Sequence, residues 1–100
     1  MKKSLLAITF ILSVSLLAIA SADGGSVYKK CQGCHGKDGS KKAFGVGAPL
    51  KGQSATDIVS KLNGYKAGSY GGAKKSTMTK QANRLSESDI SAVAEYISKF

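Results

Sequence analysis

Residues 31–39 read CQGCHGKDG, and this stretch holds both cysteines and the one histidine of the 100-residue chain. Cys31 and Cys34 stand three positions apart, and His35 follows Cys34 directly. Residues three apart lie on the same side of a helical turn, so this spacing brings two thiols together with an imidazole beside them. The sequence therefore predicts one chemically specialised turn near the start of the domain.

Three kinds of site use this pattern. A thioredoxin-like pair of cysteines needs a βαβ setting, and the sequence contains no convincing strand. A structural zinc site needs four ligands, and this stretch supplies three, so a carboxylate would have to be the fourth. Covalent haem attachment is what C-x-x-C-H typically indicates, because the two thiols can add to the vinyl groups of one porphyrin while the imidazole reaches the iron. We favour one covalent haem c, held by Cys31 and Cys34 and ligated by His35.

Met78 is the candidate for the second axial ligand. It is the one methionine after residue 22, and it lies in the stretch GGAKKSTMT, residues 71–79, which the glycines predict to be a loop free to cross the other haem face. Thioether sulfur is a soft ligand, and His/Met ligation is the electron-transfer arrangement that raises the reduction potential. The alternatives are that Met78 fills the core, or that a lysine ligates the iron after losing its proton.

The N-terminus has the order of a secretory signal peptide. Lys2 and Lys3 precede an apolar run over residues 5–19, and the small residues Ala20-Ser21-Ala22 follow. The run is shorter than the roughly 20 residues of a spanning helix. We therefore predict a signal peptide over residues 1–22, cleavage after Ala22, a periplasmic domain over residues 23–100, and no stable membrane insertion after cleavage.

Few large apolar residues remain to build a core after residue 22. They are Val27, Phe44, Val46, Leu50, Ile58, Val59, Leu62, Leu85, Ile90, Val93, Ile97 and Phe100, and all 12 glycines lie in the same part of the chain. A domain with so few core residues needs a covalent cross-link or a large apolar ligand to be stable, and a porphyrin would be such a ligand. Without haem, we expect a largely unfolded chain.

The charge pattern favours an acidic protein partner. The formal net charge is +9, and it remains +7 after removal of the two lysines at positions 2 and 3, because all six acids lie in residues 23–100. Nucleic acid is not favoured, since the chain is exported and lacks RNA-binding aromatic motifs. The basic residues flank the motif and Met78: Lys29, Lys30, Lys37, Lys41 and Lys42, then Lys74, Lys75 and Lys80.

Local patterns predict an all-α domain of three to four short helices joined by glycine-rich loops. We expect one helix over residues 24–34 and a loop over residues 36–52. A second helix follows a capping box at Ser54 and ends at Gly64, and residues 64–77 are irregular. A last helix follows a capping box at Ser86 and runs to the C-terminus, since Ile90, Val93, Ala94 and Ile97 share one face.

Several stretches resemble the class I cytochromes c, in particular the small monohaem cytochromes c-553 of sulfate-reducing bacteria. They are DGGSVYKKCQGCHGKDGSKKAFG, PLKGQSA, GYKAGSYGG, MT and AEYISKF, which span essentially all of residues 23–100. The resemblance implies crossing N- and C-terminal helices around one haem, with His35 and Met78 as axial ligands. Where related proteins carry another residue at position 44, this chain has Phe44.

The resemblance also implies roles for residues around the haem. The Pro49 carbonyl would accept the second ring N–H of His35, and Tyr65 and Tyr70 would lie against the haem or its propionates, unless they are ordinary core aromatics. The implied function is a soluble, monomeric electron carrier, not an enzyme, between partners such as formate dehydrogenase or hydrogenase and a downstream acceptor or oxidase. The alternative is a peroxidase-like haem enzyme or sensor with a displaceable sixth ligand, which would need a distal base that this chain lacks.

Overall fold

The structure, a computed structural model, describes residues 22–100. This range contains five α-helices and one 3-10 turn, joined by loops. The helices are α1 (Gly24–Tyr28), α2 (Gln32–His35), α3 (Ala55–Ala67), α4 (Lys75–Asn83) and α5 (Glu87–Ile97), and the turn is Ala43–Gly45. This range contains no strand, so the all-α prediction is confirmed, although the helices number five and not three to four. The predicted signal peptide lies outside the described residues, apart from Ala22.

The single helix predicted over residues 24–34 is in fact two. α1 ends at Tyr28. Lys29 N–H still bonds four residues back, to Gly25 O at 3.2 Å, but the two amides after it bond three residues back: Lys30 N–H donates to Val27 O at 3.1 Å and Cys31 N–H to Tyr28 O at 2.8 Å. This tightened stretch interrupts the α-helical ladder. The attachment motif therefore starts a short helix of its own.

The prediction that Gly64 ends the second helix is wrong. α3 continues to Ala67, and Gly68, with a φ of 76°, forms the left-handed C-cap. Gly64 serves close packing instead, because a Cβ atom there would lie 2.6 Å from Tyr70 Cβ. At the other end, Ser54 caps α3 by accepting from Asp57 N–H at 3.1 Å, so one of the two bonds of the predicted capping box is present.

α1 packs against α5, as expected for crossing terminal helices. The Ser86 hydroxyl accepts from Asp89 N–H at 3.1 Å while Asp89 Oδ2 accepts from Ser86 N–H at 3.0 Å, so the predicted capping box starts α5. Glycine at position 24 permits the crossing, because a Cβ atom there would collide with the Ala92 carbonyl oxygen. α5 also packs on α3, and α3 packs on α4.

The core lies where these helices meet. Its buried members are Val27, Tyr28, Ile58, Leu62, Ala82, Ile90, Val93, Ala94 and Ile97. Two residues counted as core formers, Phe44 and Val46, are instead 57% and 70% exposed. Phe44 lies in the 3-10 turn and Val46 directly follows it, and this turn lies outside the helical core. Within residues 22–100, no helix has the length and apolar character needed to cross a membrane.

Candidate functional site

The attachment motif forms one helical turn. Cys31 precedes α2, and its carbonyl accepts from Cys34 N–H at 3.2 Å and from His35 N–H at 3.0 Å. Both cysteines are free thiols: Cys31 is half-buried, Cys34 is exposed, and burial raises the pKa of the Cys31 thiol. The predicted placement of two thiols and an imidazole on a single turn is therefore present.

His35 is half-buried, and its ring is incompletely hydrogen-bonded. Burial lowers the pKa of the imidazole, which favours the neutral ring that can ligate a metal. Nδ1 is buried and has no hydrogen-bond partner among the described residues. Because buried polar atoms are nearly always paired, this unpaired nitrogen points to a missing interaction partner.

Two backbone carbonyls at the end of the motif are fixed by neighbouring segments. Lys41 N–H donates to the His35 carbonyl at 3.1 Å, and the Tyr28 hydroxyl donates to the Gly36 carbonyl at 2.5 Å. Gly36 has a φ of 86°, which a residue with a side chain would adopt only with strain. The chain therefore turns sharply after His35, and α1 and the following loop hold that turn.

The Pro49 carbonyl does not bond His35 in this structure. It accepts instead from Gln53 Nε2 at 2.8 Å. A carbonyl oxygen has two lone pairs, so this bond leaves one acceptor position on Pro49. The predicted bond between Pro49 and His35 remains a prediction.

Met78 lies on a helix, which corrects the prediction that it sits in a loop. α4 begins at Lys75, and the Met78 side chain is half-buried and packs against the edge of the hydrophobic core. The glycines that suggested a loop stop at Gly72, and the seven residues after Lys74 contain neither glycine nor proline to interrupt a helix. A methionine held by a helix has a more restricted position than one in a free loop.

Tyr65 and Tyr70 form an edge-to-face pair, with ring centroids 5.0 Å apart and an interplanar angle of 79°. Tyr65 is half-buried on α3, and Tyr70 is 41% exposed just after that helix. A Cβ atom at Gly71 would lie 2.8 Å from the Tyr65 ring, so the glycine-rich segment before α4 passes over this pair. The structure thus brings the two predicted aromatics together beside the helix that carries Met78.

Sequence reasoning missed the contact between Phe44 and Lys74. Lys74 Nζ lies 5.6 Å from the centroid of the Phe44 ring, and Phe44 has a positive φ of 56°. The turn that carries Phe44 also packs on α2. This turn therefore links the segment that carries His35 to the start of the helix that carries Met78, and no local sequence pattern reports such a long-range contact.

The fold and the site together define a class: a small all-helical domain with a C-x-x-C-H turn near its start and a methionine on a later helix. The chain belongs to the cytochrome c family, whose family model, described as Cytochrome c, matches residues 21–100. It is 50% identical over 88 residues to a cytochrome c-553 of Nitratidesulfovibrio vulgaris (strain DSM 19637 / Miyazaki F), an alignment that covers 88% of this chain and 86% of the relative.

Two further relatives carry the same name. A cytochrome c-553 of Desulfomicrobium norvegicum is 40% identical over 72 residues, covering 72% of this chain and 88% of its own. One from Helicobacter pylori (strain ATCC 700392 / 26695) is 35% identical over 91 residues, and the alignment covers 87% of this chain and 92% of the relative. The resemblance inferred from the sequence is confirmed, and the chain is an electron-transfer protein of the c type, not an enzyme, that works with redox protein partners.

The residues present fit the covalent haem c that this family implies. The donor set combines two free thiols and an imidazole on one turn, and the buried Nδ1 atom of His35 is available for the hydrogen bond that a metal-ligating histidine normally makes through its other ring nitrogen. Haem iron, when bound, supplies reversible one-electron chemistry. The zinc and thioredoxin-like alternatives lose their basis, since family membership accounts for the same three side chains.

Proposed function

We propose that the chain holds a single haem, attached through Cys31 and Cys34, with His35 and Met78 as the axial ligands. The observation that carries this proposal is the helical turn at residues 31–35, on which the unpaired, buried Nδ1 atom of His35 accompanies two free thiols. One C-x-x-C-H stretch provides for one haem. Met78 is the one thioether in residues 23–100 and is held on a helix.

The chain's own residues would set the properties of this site. Burial lowers the pKa of His35 and so favours the neutral ring, and the free acceptor position on the Pro49 carbonyl would accept a hydrogen bond from the Nδ1–H group, which fixes the tautomer and leaves Nε2 for the iron. Tyr65 and Tyr70 would form part of the wall around the haem or its propionates. Their position beside α4 supports this role.

We further propose that the mature protein is a monomeric, periplasmic carrier of single electrons. The basic start, apolar run and small residues of positions 1–22 support export and cleavage after Ala22. Its donors and acceptors would be redox proteins such as formate dehydrogenase or hydrogenase and a downstream acceptor or oxidase.

The surface lysines support an acidic docking partner. All eight lysines that flank the motif and Met78 are exposed: Lys29, Lys30, Lys37, Lys41, Lys42, Lys74, Lys75 and Lys80. In residues 22–100, the one ion pair of the structure joins Lys51 to Asp38, so none of these eight lysines forms an ion pair. The contact of Lys74 with Phe44 brings Lys74 next to the turn that directly follows Lys42.

Mass spectrometry of the purified periplasmic protein tests the proposal. After denaturation in acidified organic solvent, the polypeptide should have the mass of residues 23–100 plus one haem. The single variants Cys31→Ser and Cys34→Ser should each lose one thioether bond and give protein with less haem. Haem that separates into the organic phase from the unmodified chain, or a mass that fits another number of haems, would contradict the proposal.

A further inference from the structure

A hydrogen-bonded chain of side chains ends at the Pro49 carbonyl. Lys61 Nζ donates to Gln53 Oε1 at 2.7 Å, and Gln53 Nε2 donates to Pro49 O at 2.8 Å. Gln53 and Lys61 are both half-buried. One amide therefore joins a cation on α3 to a carbonyl in the loop before that helix.

The loop that carries Pro49 is bonded to the segment that follows His35. Leu50 N–H and Lys51 N–H donate to the Gly39 carbonyl at 2.7 and 3.0 Å, and Gln53 N–H donates to the Leu50 carbonyl at 3.1 Å. Gly39 is itself buried, and a Cβ atom there would lie 3.1 Å from Leu50 Cβ. Pro49 therefore directly precedes Leu50, whose backbone is bonded to Gly39 in the segment that follows His35.

The amide of Gln53 can make both of its bonds in only one orientation. The Lys61 ammonium group is a donor without acceptors, so the amide oxygen must face it. The amide NH₂ group must then face Pro49, whose carbonyl can only accept. Lys61 thus determines which end of Gln53 meets Pro49, and the bond to Gln53 determines which way the remaining lone pair of Pro49 points.

We propose that Gln53 and Lys61 are positioning residues for the axial histidine. Gln53 orients the Pro49 carbonyl so that its second acceptor position meets the buried, unpaired Nδ1 atom of His35, and Lys61 holds Gln53 in the orientation that does so. This inference rests on the proposed function, because it requires His35 to ligate haem iron through its other nitrogen. A hydrogen bond from the distant ring N–H raises the basicity of a ligating histidine, so this arrangement would favour the oxidised state.

The experiment uses the haem-bearing protein and a set of matched variants. Gln53→Leu removes both bonds of the amide without changing the charge. Gln53→Glu keeps an acceptor for Lys61 but cannot donate to Pro49. Lys61→Met removes the bond from Lys61 to Gln53 and leaves Gln53 itself unchanged. Lys66→Met is the charge control, since Lys66 also extends from α3 but bonds the Leu85 carbonyl at 2.7 Å. The readouts are hydrogen exchange of the His35 Nδ1 proton, followed by NMR in the reduced protein, and the reduction potential.

We expect the ring proton to exchange at least about tenfold faster in Gln53→Leu and in Gln53→Glu, which corresponds to about 1.4 kcal/mol. The potential of Gln53→Leu should rise, because a less basic histidine stabilises the oxidised iron less. Lys61→Met should also speed exchange. The double variant of Gln53→Leu with Lys61→Met should show no additional effect, because both residues act through the same series of hydrogen bonds. Lys66→Met should leave exchange unchanged.

Two results would overturn the proposal, and they differ. A haem-bearing Gln53→Leu protein with unaltered exchange and potential would remove the positioning role alone. If Gln53→Leu fails to fold, unaltered exchange in Gln53→Glu and Lys61→Met decides in the same way. A wild-type chain without covalent haem would remove the proposed function, and the positioning role with it.

Discussion

The Tyr28 hydroxyl donates a hydrogen bond of 2.5 Å to the carbonyl of Gly36, the residue directly after the predicted iron ligand. Tyr28 is 1% exposed, and its ring lies 5.0 Å from that of Phe100 and 5.8 Å from that of Tyr96. The end of the attachment motif is thereby tied to the contact between the terminal helices. The position of His35 depends on the packing of α1 against α5.

Removal of this hydroxyl should destabilise the protein. Tyr28→Phe keeps the ring and loses the bond, so the free energy of unfolding should fall by about 1 kcal/mol, and by up to about 3 kcal/mol if the Gly36 carbonyl is left without a partner. Urea unfolding at pH 7 measures the change. Tyr96→Phe, at a position 42% exposed, is the control and should differ little from the wild type. Equal stability of all three proteins would contradict a role for the bond.

The same hydroxyl should make stability depend on alkaline pH. Burial, more than any neighbouring charge, raises the pKa of Tyr28 from 10.0 to about 12. A group that is neutral when protonated and has a raised pKa in the folded state contributes stability below its unfolded pKa and loses it as the pH rises toward the folded value. The stability difference between wild type and Tyr28→Phe should therefore shrink between pH 10 and pH 12. A constant difference across that window would rule out this linkage.

The attachment motif and the helix caps could be predicted from the sequence because they are local. Cys31, Cys34 and His35 lie within one turn, and a capping box is read from four consecutive residues, as at Ser86. The helix that carries Met78 was missed because the preceding glycines suggested a loop and its polar sequence gives little apolar periodicity. It packs against α3, and no local pattern encodes such a contact.

The contacts of individual side chains were beyond prediction for a related reason. Tyr28 lies eight residues before Gly36, and Lys74 lies thirty residues after Phe44, so only the folded chain brings each pair together. Glycines were similarly ambiguous in the sequence. The sequence pattern predicts a helix end at Gly64, but Gly64 makes room for Tyr70, while Gly68 provides the left-handed cap.

Gly24 should be sensitive to substitution, because α1 and α5 lie too close together there to admit even a methyl group. Gly24→Ala would place its Cβ atom into the Ala92 carbonyl and 2.8 Å from Tyr96 Cβ, so we expect a loss of about 1–3 kcal/mol in the free energy of unfolding. Gly72→Ala is the matched control outside the attachment motif, because beyond its chain neighbours no atom lies within 4 Å of a Cβ atom there. Thermal unfolding of both variants measures the effect. A fully stable Gly24→Ala protein would mean that the terminal helices can separate slightly at no cost.

Met78 can be tested as a ligand separately from its packing. Met78→Leu keeps an apolar side chain of similar volume, so it should change stability by less than about 1.5 kcal/mol, whereas the thioether sulfur is lost. In the haem-bearing protein we expect the weak near-infrared sulfur–iron band of the oxidised state to disappear and the reduction potential to fall. Absorption spectroscopy and a redox titration measure both. An unchanged spectrum in Met78→Leu would assign the sixth position to another side chain, and Lys80→Met would then test the lysine nearest in sequence.

Exposed lysines should steer the protein toward an acidic redox partner, and the effect should depend on salt. The Debye length falls from about 30 Å at 0.01 M salt to about 10 Å at 0.1 M, so the second-order rate of electron transfer should fall on the order of tenfold over that range. Stopped-flow mixing with an acidic redox protein measures this rate. Reversal of charge at Lys74 and Lys75, or at Lys41 and Lys42, should lower the rate at low salt and flatten its salt dependence.

The control for this reversal is a second pair of basic residues. Arg84 and Lys99 are also exposed but belong to neither lysine group, and Arg84 follows α4 at the end opposite Lys75. Replacing both with glutamate changes the net charge by the same amount, so a steering effect that depends only on net charge would appear equally in both double variants. A local docking face requires a larger effect from Lys74 and Lys75, because complementary charges act most strongly where the partner approaches. A rate that does not change with salt would instead show that docking is mainly apolar, and the lysines would then serve solubility alone.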